Sequence, residues 1–238
     1  MVEIDGLLLI NKPAGCTSHD IVDRVRRKFG LRKVGHCGTL DPLATGLLML
    51  VLGRATKMQG LLMAEDKVYR GAMKLGVVTD TQDADGKVVE EREVVGIDAV
   101  KIEHVFNELR GDFYQTPPMV SALKKGGVPL YKLAREGKTV EREPRLVHVY
   151  WSKILEIDLP RVAFEIACSK GFYVRTYCHD VGAKLGCGAH LMELCRIASG
   201  NFHLNRAISW EQCAALPDAR ALMPFVLSQA EVSRIRRQ

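Results

Sequence analysis

The sequence predicts a mixed fold of class α/β (α+β), because runs that alternate between apolar and polar residues are interspersed with runs whose apolar residues recur at helical spacing. Hydrophobic residues make up 47% of the 238 positions and charged residues 26%, proportions typical of a globular protein and not of a disordered one. No apolar run reaches the length of a transmembrane helix and the N-terminus has no signal-peptide pattern, so we expect a cytoplasmic protein without a membrane anchor.

The first elements follow from short apolar runs and helix caps. Residues 7–10 are apolar and predict a strand. Thr17 or Ser18 suits the N-cap of a helix whose apolar side chains recur at helical spacing until Gly30 ends it. The uninterrupted apolar run at 47–52 fits either a fully buried strand or a short core helix, and periodicity alone does not separate the two.

Later elements show clearer periodicity. Residues 68–75 and residues 162–168 alternate, and each run predicts a strand. Asp98 suits the N-cap of a helix that Gly111 stops. A further helix is predicted after the second of these strands, with Gly186 as its C-terminal cap.

The segment at 35–46 places a single carboxylate, Asp41, between glycines and directly before an apolar run. Pro42 disfavours the α conformation at Asp41, while Gly38 and Gly46 permit turns that other residues resist. A carboxylate held on a stiff loop against a core element is typical of a catalytic site. Asp-Pro is also common in ordinary turns, and on these residues alone a turn or capping aspartate is the more frequent interpretation.

Residues 116–143 differ from their surroundings because they combine paired prolines, paired glycines and several lysines and arginines. Residues 121–127 predict a strand that enters a tight turn, and residues 130–136 predict a short helix. A basic excursion of this kind suits a mobile clamp over a polyanion, but a solvated surface loop fits equally well. The formal charge of +6 allows an RNA partner without proving one.

The cysteines and acidic residues give no sign of a metal site. The seven cysteines include no CxxC pair, which predicts reduced and mostly buried thiols, not a disulfide framework or a zinc site. Residues 83–86 look like part of an EF-hand loop, but Thr81 and Arg92 stand where that loop needs acidic residues. We therefore expect no bound metal.

The string at 35–46 resembles the catalytic motif of the TruB-type tRNA pseudouridine synthases, in which the Asp of Gly-Thr-Leu-Asp-Pro is essential. Further strings fit this family in the same order along nearly the whole chain, at residues 7–13, 67–69, 79–86, 118–124, 168–176 and 185–191. The resemblance implies a pseudouridine synthase fold with a mixed, mostly antiparallel sheet flanked by helices, and an RNA-gripping thumb insertion at about 116–143. We expect a catalytic domain at 1–212 and a short extension at 213–238, without the PUA-type domain that many relatives carry.

The resemblance implies three catalytic residues. Asp41 matches the essential carboxylate, Arg175 matches the arginine that pairs with it, and Tyr69 matches the tyrosine that stacks on the target base. The order Tyr173-Val174-Arg175 would put Tyr173 and Arg175 on one side of a strand. Without the resemblance, either tyrosine also fits a half-buried sheet aromatic, and Arg175 also fits a structural ion pair.

Other positions match residues that bind the substrate in the family. His36 matches a histidine that fills the space left by the flipped uridine, and Leu194 matches an apolar residue of the uracil pocket. Other candidates for the cleft and for thumb contacts to RNA are Lys12, Pro13, Tyr173, Lys170, Lys124, Lys125 and Arg142. The chain departs from the family pattern at Cys37, Phe172 and Cys195, the last of which replaces one arginine of a usual Leu-Arg-Arg.

By resemblance, the chain isomerises uridine 55 in the TΨC loop of tRNA to pseudouridine. This isomerisation has no step for a redox cofactor or a metal, so we expect no cofactor, and we expect no obligatory protein partner. The alternatives are a tRNA-binding or tRNA-folding module, a synthase that acts on another RNA with or without a guide, and a nucleoside hydrolase or glycosidase. The last class usually needs a second carboxylate, and none with a suitable context accompanies Asp41.

Overall fold

The computed structural model describes residues 3–121, 123–138 and 140–237. Ala122 of the string at 118–124 lies outside the described residues, as do the side chains of Lys124 and Lys125. The strands are, in chain order, β1 (Gly6–Lys12), β2 (Val34–His36), β3 (Thr45–Leu52), β4 (Lys67–Leu75), β5 (Val77–Thr79), β6 (Val88–Glu91), β7 (Gly111–Gln115), β8 (Lys124–Lys125), β9 (Val128–Pro129), β10 (Arg145–Asp158), β11 (Arg161–Cys168), β12 (Ala189–Ser199), β13 (Phe202–His203), β14 (Ile208–Ser209) and β15 (Val226–Leu227). The α-helices are α1 (Ser18–Lys28), α2 (Gln59–Met63), α3 (Ala99–Glu108), α4 (Leu130–Arg135), α5 (Val174–Leu185), α6 (Trp210–Ala215), α7 (Ala219–Leu222) and α8 (Gln229–Arg236), and 3₁₀ helices occupy Gly53–Met58, Leu204–Arg206 and Met223–Phe225.

The chain divides into two compact units, one made of Met1–Tyr69 with Cys195–Gln238 and the other made of Arg70–Leu194. Most of the strand pairs in both units are antiparallel, and helices accompany the strands in each, so the predicted mixed, mostly antiparallel α/β class is confirmed. Among the described residues, no helix is both long and apolar enough to cross a membrane.

Strand β3 is the centre of the sheet in the first unit. One side of it pairs antiparallel with β1 along the whole length of both strands. The other side pairs antiparallel with β2 near Leu52 and parallel with β12 at Thr45 and Gly46. The ends of β1 and β12 therefore meet the start of β3 at one edge of the sheet, while the starts of β1 and β2 meet the end of β3 at the opposite edge.

The C-terminal residues belong to the core of the first unit. Strand β15 pairs with β1, and α8 places Val232 and Ile235 in the same buried cluster as Leu7, Met49 and Phe202. Residues 213–237, which the sequence sets apart as an extension, are thus packed against the first strand of the chain and are not a free basic tail.

The second unit has a sheet with the strand order β12-β4-β11-β10-β7. Helices α3 and α5 contact each other, and α3 also contacts β10. Phe106 of α3 and Tyr177 of α5 meet edge to face with ring centroids 5.6 Å apart, and both pack on Phe164 of β11. Phe172 also packs on Tyr177, with centroids 5.7 Å apart, so this departure from the family pattern extends an aromatic core.

Most of the predicted elements are confirmed. The apolar run at 47–52 is a strand, which settles the alternative left open by periodicity. Thr17 is the N-cap of α1 and forms a capping box with Asp20, whereas Ser18 is the first residue of the helix. Asp98 caps α3, and Gly186 ends α5 with a positive φ of 82°. All seven cysteines are free thiols, of which only Cys195 is partly exposed.

Candidate active site

Residues 37–44, here called the Asp41 segment, connect β2 to β3 and are fastened at three consecutive residues. Ser18 at the start of α1 provides one anchor, because its side chain is fully buried beneath the segment. The bonds are Leu40 N to Ser18 Oγ at 2.8 Å, Ser18 Oγ to Leu40 O at 3.1 Å, Ala44 N to Asp41 O at 3.0 Å and Gly15 N to Pro42 O at 2.9 Å. The Asp41 side chain is partly exposed, so its carboxylate is held in place by the backbone and remains accessible.

Lys12 supports the same segment from below. Its side chain is fully buried, and the ammonium donates to the carbonyl oxygens of Pro13 at 2.8 Å, Cys16 at 2.7 Å and Pro42 at 3.4 Å. Burial lowers the pKa of Lys12, while the charge of Asp41 acts in the opposite direction. The expected contact of Lys12 with phosphate differs from this arrangement, because all three of its N–H groups already have acceptors. Pro13, the residue that follows, is partly exposed.

Arg196 is a second buried cation, and its function was not foreseen from the sequence. Its Nε donates to Leu47 O at 2.8 Å and its Nη2 donates to Gly38 O at 3.1 Å, so one guanidinium joins the two sides of the Asp41 segment. Gly46 pairs with Arg196 in the sheet, and a Cβ on Gly46 would lie 2.4 Å from the Arg196 carbonyl oxygen. The sequence did contain a signal, since Arg196 is the arginine that the chain keeps from the family's Leu-Arg-Arg.

His36 and Cys37 lead into the Asp41 segment and have different environments. His36 ends β2 and is partly exposed. Burial lowers the pKa of its imidazole and the positive charge of Arg196 lowers it further, so the ring is neutral at neutral pH. Cys37 is fully buried in the core, and burial raises the pKa of its thiol to about 12. Its thiol therefore stays protonated and does not act as a nucleophile.

Tyr69 and Leu194 both lie on strands and are almost fully buried. Tyr69 follows Lys67 and Val68 in β4 and is 8% exposed. Leu194 is also 8% exposed, and it lies in β12, so the alternative of an ordinary helical leucine is wrong. In the second unit Leu194 packs beside Gly71, where a Cβ would lie 3.4 Å from its Cδ1.

Arg175 lies in the first turn of α5, so the expectation that Tyr173 and Arg175 alternate on a strand is wrong. The strand β11 ends at Cys168, and Gly171, with a φ of 81°, turns the chain before the helix begins. A three-residue alternation is too short to distinguish a strand from a helix start, and the buried Tyr177 and Val181 in the same helix show the helical spacing.

The Arg175 guanidinium is 3% exposed and is held within the second unit by three groups. Its Nη1 lies 3.3 Å from Asp83 Oδ2 and donates to Thr81 O at 3.1 Å, and its Nη2 donates to Val120 O at 2.9 Å. Asp83 is also buried, and it accepts a bond from the Thr81 hydroxyl. The acidic loop that looked like part of a calcium site thus supplies an anion to a buried arginine.

Tyr173 is fixed through its backbone by a residue that the sequence did not single out. The Gln115 side chain, 2% exposed, accepts from Tyr173 N at 2.8 Å and donates to Tyr173 O at 3.1 Å. Next to it, Thr176 donates to the Gln82 amide oxygen at 2.8 Å, and Gln82 has a φ of 66°, a conformation uncommon outside glycine. The start of α5 is therefore bound to two separate loops of its unit.

The proposed thumb has the predicted local structure. Strands β8 and β9 form a hairpin whose turn residues, Gly126 and Gly127, both have positive φ, and α4 follows. Arg142 is partly buried and donates to Pro117 O at 3.1 Å, which joins the two ends of the thumb. Lys170, in the turn before α5, is exposed and remains a predicted phosphate contact.

The structure brings the candidates together in two groups. Within the first unit, Lys12 and Pro13 adjoin the Asp41 segment, and His36 leads into it. Within the second unit, Tyr173 and Arg175 stand side by side at the start of α5. In the part of the chain that the structure describes, no three His, Cys, Asp or Glu side chains cluster as metal ligands would.

Comparison with known families identifies two matching models. A model described as TruB family pseudouridylate synthase, N-terminal domain, matches residues 26–174, and a model described as tRNA pseudouridylate synthase B C-terminal domain matches residues 175–228. The chain is 49% identical to tRNA pseudouridine synthase B of Syntrophotalea carbinolica over 97% of its own length and 75% of that protein. It is also 49% identical to tRNA pseudouridine synthase B of Opitutus terrae, over 90% of its length and 89% of that protein.

Solved structures with a similar fold include RNA-modifying complexes. A chain in the crystal structure of a Cbf5-Nop10-Gar1 complex matches with a TM-score of 0.73 and 27% identity, over 97% of the present chain. A chain in the structure of an H/ACA RNP bound to a substrate RNA containing 2′-deoxyuridine matches with a TM-score of 0.65 and 28% identity, over 87% of the present chain. The present chain spans 62% of the first of these chains and 51% of the second.

Proposed function

Because the chain belongs to the TruB family of pseudouridylate synthases, we propose that it converts uridine 55 in the TΨC loop of tRNA to pseudouridine. The observation that carries this proposal is the Gly-Thr-Leu-Asp-Pro string at 38–42 on a segment whose backbone is bonded at Leu40, Asp41 and Pro42. A fixed backbone with an accessible carboxylate is what a reaction at one ribose carbon needs.

The reaction breaks the bond between N1 of uracil and C1′ of ribose, turns the base and forms a bond between C5 and C1′. C5 loses a proton and N1 gains one, so no atom is added to or removed from the RNA. Asp41 is the proposed catalytic residue, either by adding to C1′ or by taking a proton from C2′. Both routes need Asp41 ionised, and Arg175 is the proposed cation partner that keeps it so.

Arg175 suits that role because its position is fixed before any substrate binds. The carbonyl oxygens of Thr81 and Val120 and the carboxylate of Asp83 determine where its guanidinium lies. We propose Asp83 as a positioning residue, since it contacts Arg175 and not the reacting atoms. A guanidinium that is already oriented loses little conformational freedom when the RNA arrives.

The remaining candidates are proposed to bind the displaced base. Tyr69 and Leu194 provide an aromatic and an aliphatic surface suited to a flat uracil, and Tyr173 lines the same pocket. A uridine in a folded loop must leave its stack, which costs a few kcal/mol. His36, as a neutral ring, can occupy the vacated space without introducing a buried charge.

The RNA itself is proposed to be held by cations outside the reaction centre. Lys124 and Lys125 lie in the thumb hairpin and Lys170 lies in an exposed turn, where each can neutralise a phosphate. We propose no cofactor, because the isomerisation is redox-neutral and hydrolyses nothing. We also propose that the chain acts in the cytoplasm, where tRNA is processed, and without an obligatory protein partner.

The test is to incubate the purified chain with an unmodified tRNA transcript in buffer containing EDTA and to map pseudouridine by nucleotide position. We expect conversion at uridine 55 and at no other uridine. A transcript with cytidine at position 55 is the control. Modification only after another protein, a guide RNA or a divalent ion is added to correctly folded tRNA would contradict the proposal.

A further inference from the structure

The first unit has a large cavity at the edge of its sheet opposite the Asp41 segment. The starts of β1 and β2 meet the end of β3 there, as the pairings of Gly6 and of Val34 with Leu52 require. The Gly53 amide donates to Lys33 O at 2.9 Å, which joins the chain before β2 to the chain after β3. The cavity between these chain ends has a volume of about 740 Å³.

Four cations and two carboxylates line this cavity, namely Arg32, Lys33, Arg54 and Lys57 with Glu3 and Asp5. Asp5 is engaged by Arg54, whose backbone N lies 2.7 Å from Asp5 Oδ1 and whose Nε lies 3.5 Å from Asp5 Oδ2. Glu3 is then the one lining carboxylate left to balance Arg32, Lys33 and Lys57, and the lining carries two net positive charges.

The three remaining cations are available to a ligand. Arg32, Lys33 and Lys57 are all exposed, and within residues 3–121, 123–138 and 140–237 none of them forms an ion pair. The last turn of α1, which ends beside Gly30 of the cavity wall, adds the exposed Arg27 and Lys28. This surface, here called the basic cavity, thus combines a concave shape with cations that face water.

The basic cavity is separate from the proposed reaction centre. Asp41 precedes the start of β3, and the cavity lies beyond its end, eight residues further on. At roughly 3.3 Å per residue, the two sites are about 25 Å apart. A group bound in the cavity therefore cannot be the reacting uridine or its immediate neighbour.

We propose that the basic cavity binds the phosphate backbone of the substrate tRNA at a point distant from the modified loop. The proposal rests on the proposed function, because it takes tRNA as the polyanion that this charge and shape would recognise. Arg32, Lys33 and Lys57 each neutralise a phosphate, while Arg54 and Asp5 shape the cavity wall. The contact adds affinity for the whole tRNA and does not affect the bond that breaks.

The test compares two RNAs and two triple variants. The first variant is Arg32→Gln, Lys33→Gln, Lys57→Gln, and the control is Lys87→Gln, Lys101→Gln, Lys153→Gln, which removes the same charge from exposed positions of the second unit. Affinity is measured against salt concentration for a full-length tRNA and for an isolated T stem-loop. Single-turnover rates at saturating enzyme are measured on both RNAs.

For full-length tRNA, we expect the cavity variant to bind about tenfold more weakly near 0.1 M salt and its salt slope to fall by roughly one unit per lost contact. For the stem-loop, we expect parent and cavity variant to bind alike, and single-turnover rates to be unchanged on both RNAs. Equal binding of full-length tRNA by parent and cavity variant would overturn the inference, as would an equal loss on the stem-loop or in the control variant. Absence of pseudouridine with the parent protein would contradict the proposed function instead, so the two failures are distinct.

Discussion

The Asp41 segment in the first unit and the start of α5 in the second unit are both held by buried cations, but the charges of these cations are balanced differently. Lys12 and Arg196 donate to backbone carbonyls, and among the described residues neither forms an ion pair with a carboxylate. Arg175 also donates to carbonyls, but it has Asp83 beside it. The first arrangement leaves positive charge next to Asp41, whereas the second neutralises its charge and fixes a direction.

This difference has a consequence for stability. A buried cation with only carbonyl partners can be removed and leave neutral acceptors behind. A buried cation with a carboxylate partner leaves an uncompensated charge when it is removed, which costs more. The substitutions below test this distinction, from the largest expected effect to the smallest.

Arg175→Met should lower the free energy of unfolding by about 3–5 kcal/mol, because Asp83 would stay buried without its cation. Asp83→Asn should partly relieve this loss in the double variant, so a double-mutant cycle should give a coupling energy of at least about 1 kcal/mol. The exposed pair of Lys184 and Glu108, 2.8 Å apart, is the matched control and should give a coupling below about 1 kcal/mol. Equal coupling in both pairs would remove the distinction between the two regions.

Arg196→Met should lower the free energy of unfolding by about 3 kcal/mol, since two charge-assisted bonds to carbonyls are lost but no charge is stranded. Its kcat should fall more than its KM rises, because the change loosens the Asp41 segment and not the RNA contacts. Arg196→Lys should restore part of kcat, and Arg206→Met, at an exposed position of the same unit, is the control. Full activity in Arg196→Met would show that the segment does not depend on this anchor.

Lys124→Ala with Lys125→Ala should leave stability within about 0.5 kcal/mol of the parent and weaken tRNA binding, because thumb cations serve the RNA and not the fold. The slope of log affinity against log salt should become shallower by roughly one unit per lost contact. An unchanged slope would mean that residues 116–143 are a solvated loop, the alternative that composition left open.

His36 should make a small contribution to the pH dependence of stability. Its pKa is below the ordinary value of 6.5 in the folded state, so below pH 6.5 the unfolded chain binds more protons than the folded one. Stability therefore rises with pH from the folded pKa up to 6.5 and is level above that. His36→Gln should flatten this slope in urea titrations across pH 5–7, whereas His203→Gln, at an exposed position, tests the loss of an ordinary imidazole.

The parts of the account that were predictable from the sequence are those encoded locally. Thr17 and Asp98 announce helix starts by their hydrogen-bonding side chains, and the alternation at 68–75 fixes a strand. Contacts between distant positions were not predictable, because no local pattern encodes them. Arg196 lies 149 residues from the carbonyl of Leu47 that it binds, and Arg175 lies 94 residues from Thr81.

The error at Tyr173 has the same physical origin. A strand and the first turn of a helix both allow two side chains to flank a third, and only the packing of Tyr177 on the core selects the helix. The family resemblance supplied the candidate residues correctly by position in the sequence, but it gave no information about which partners hold them.

The most direct test of the central claim is the turnover of Asp41→Asn on an unmodified tRNA transcript. Asparagine preserves the size of the side chain and removes its charge, and the segment's backbone bonds to Ser18 and Gly15 do not involve the side chain. The account predicts unchanged tRNA affinity and no detectable pseudouridine at position 55. Turnover within about tenfold of the parent, a loss of only ~1.4 kcal/mol of transition-state stabilisation, would show that Asp41 is not the catalytic residue.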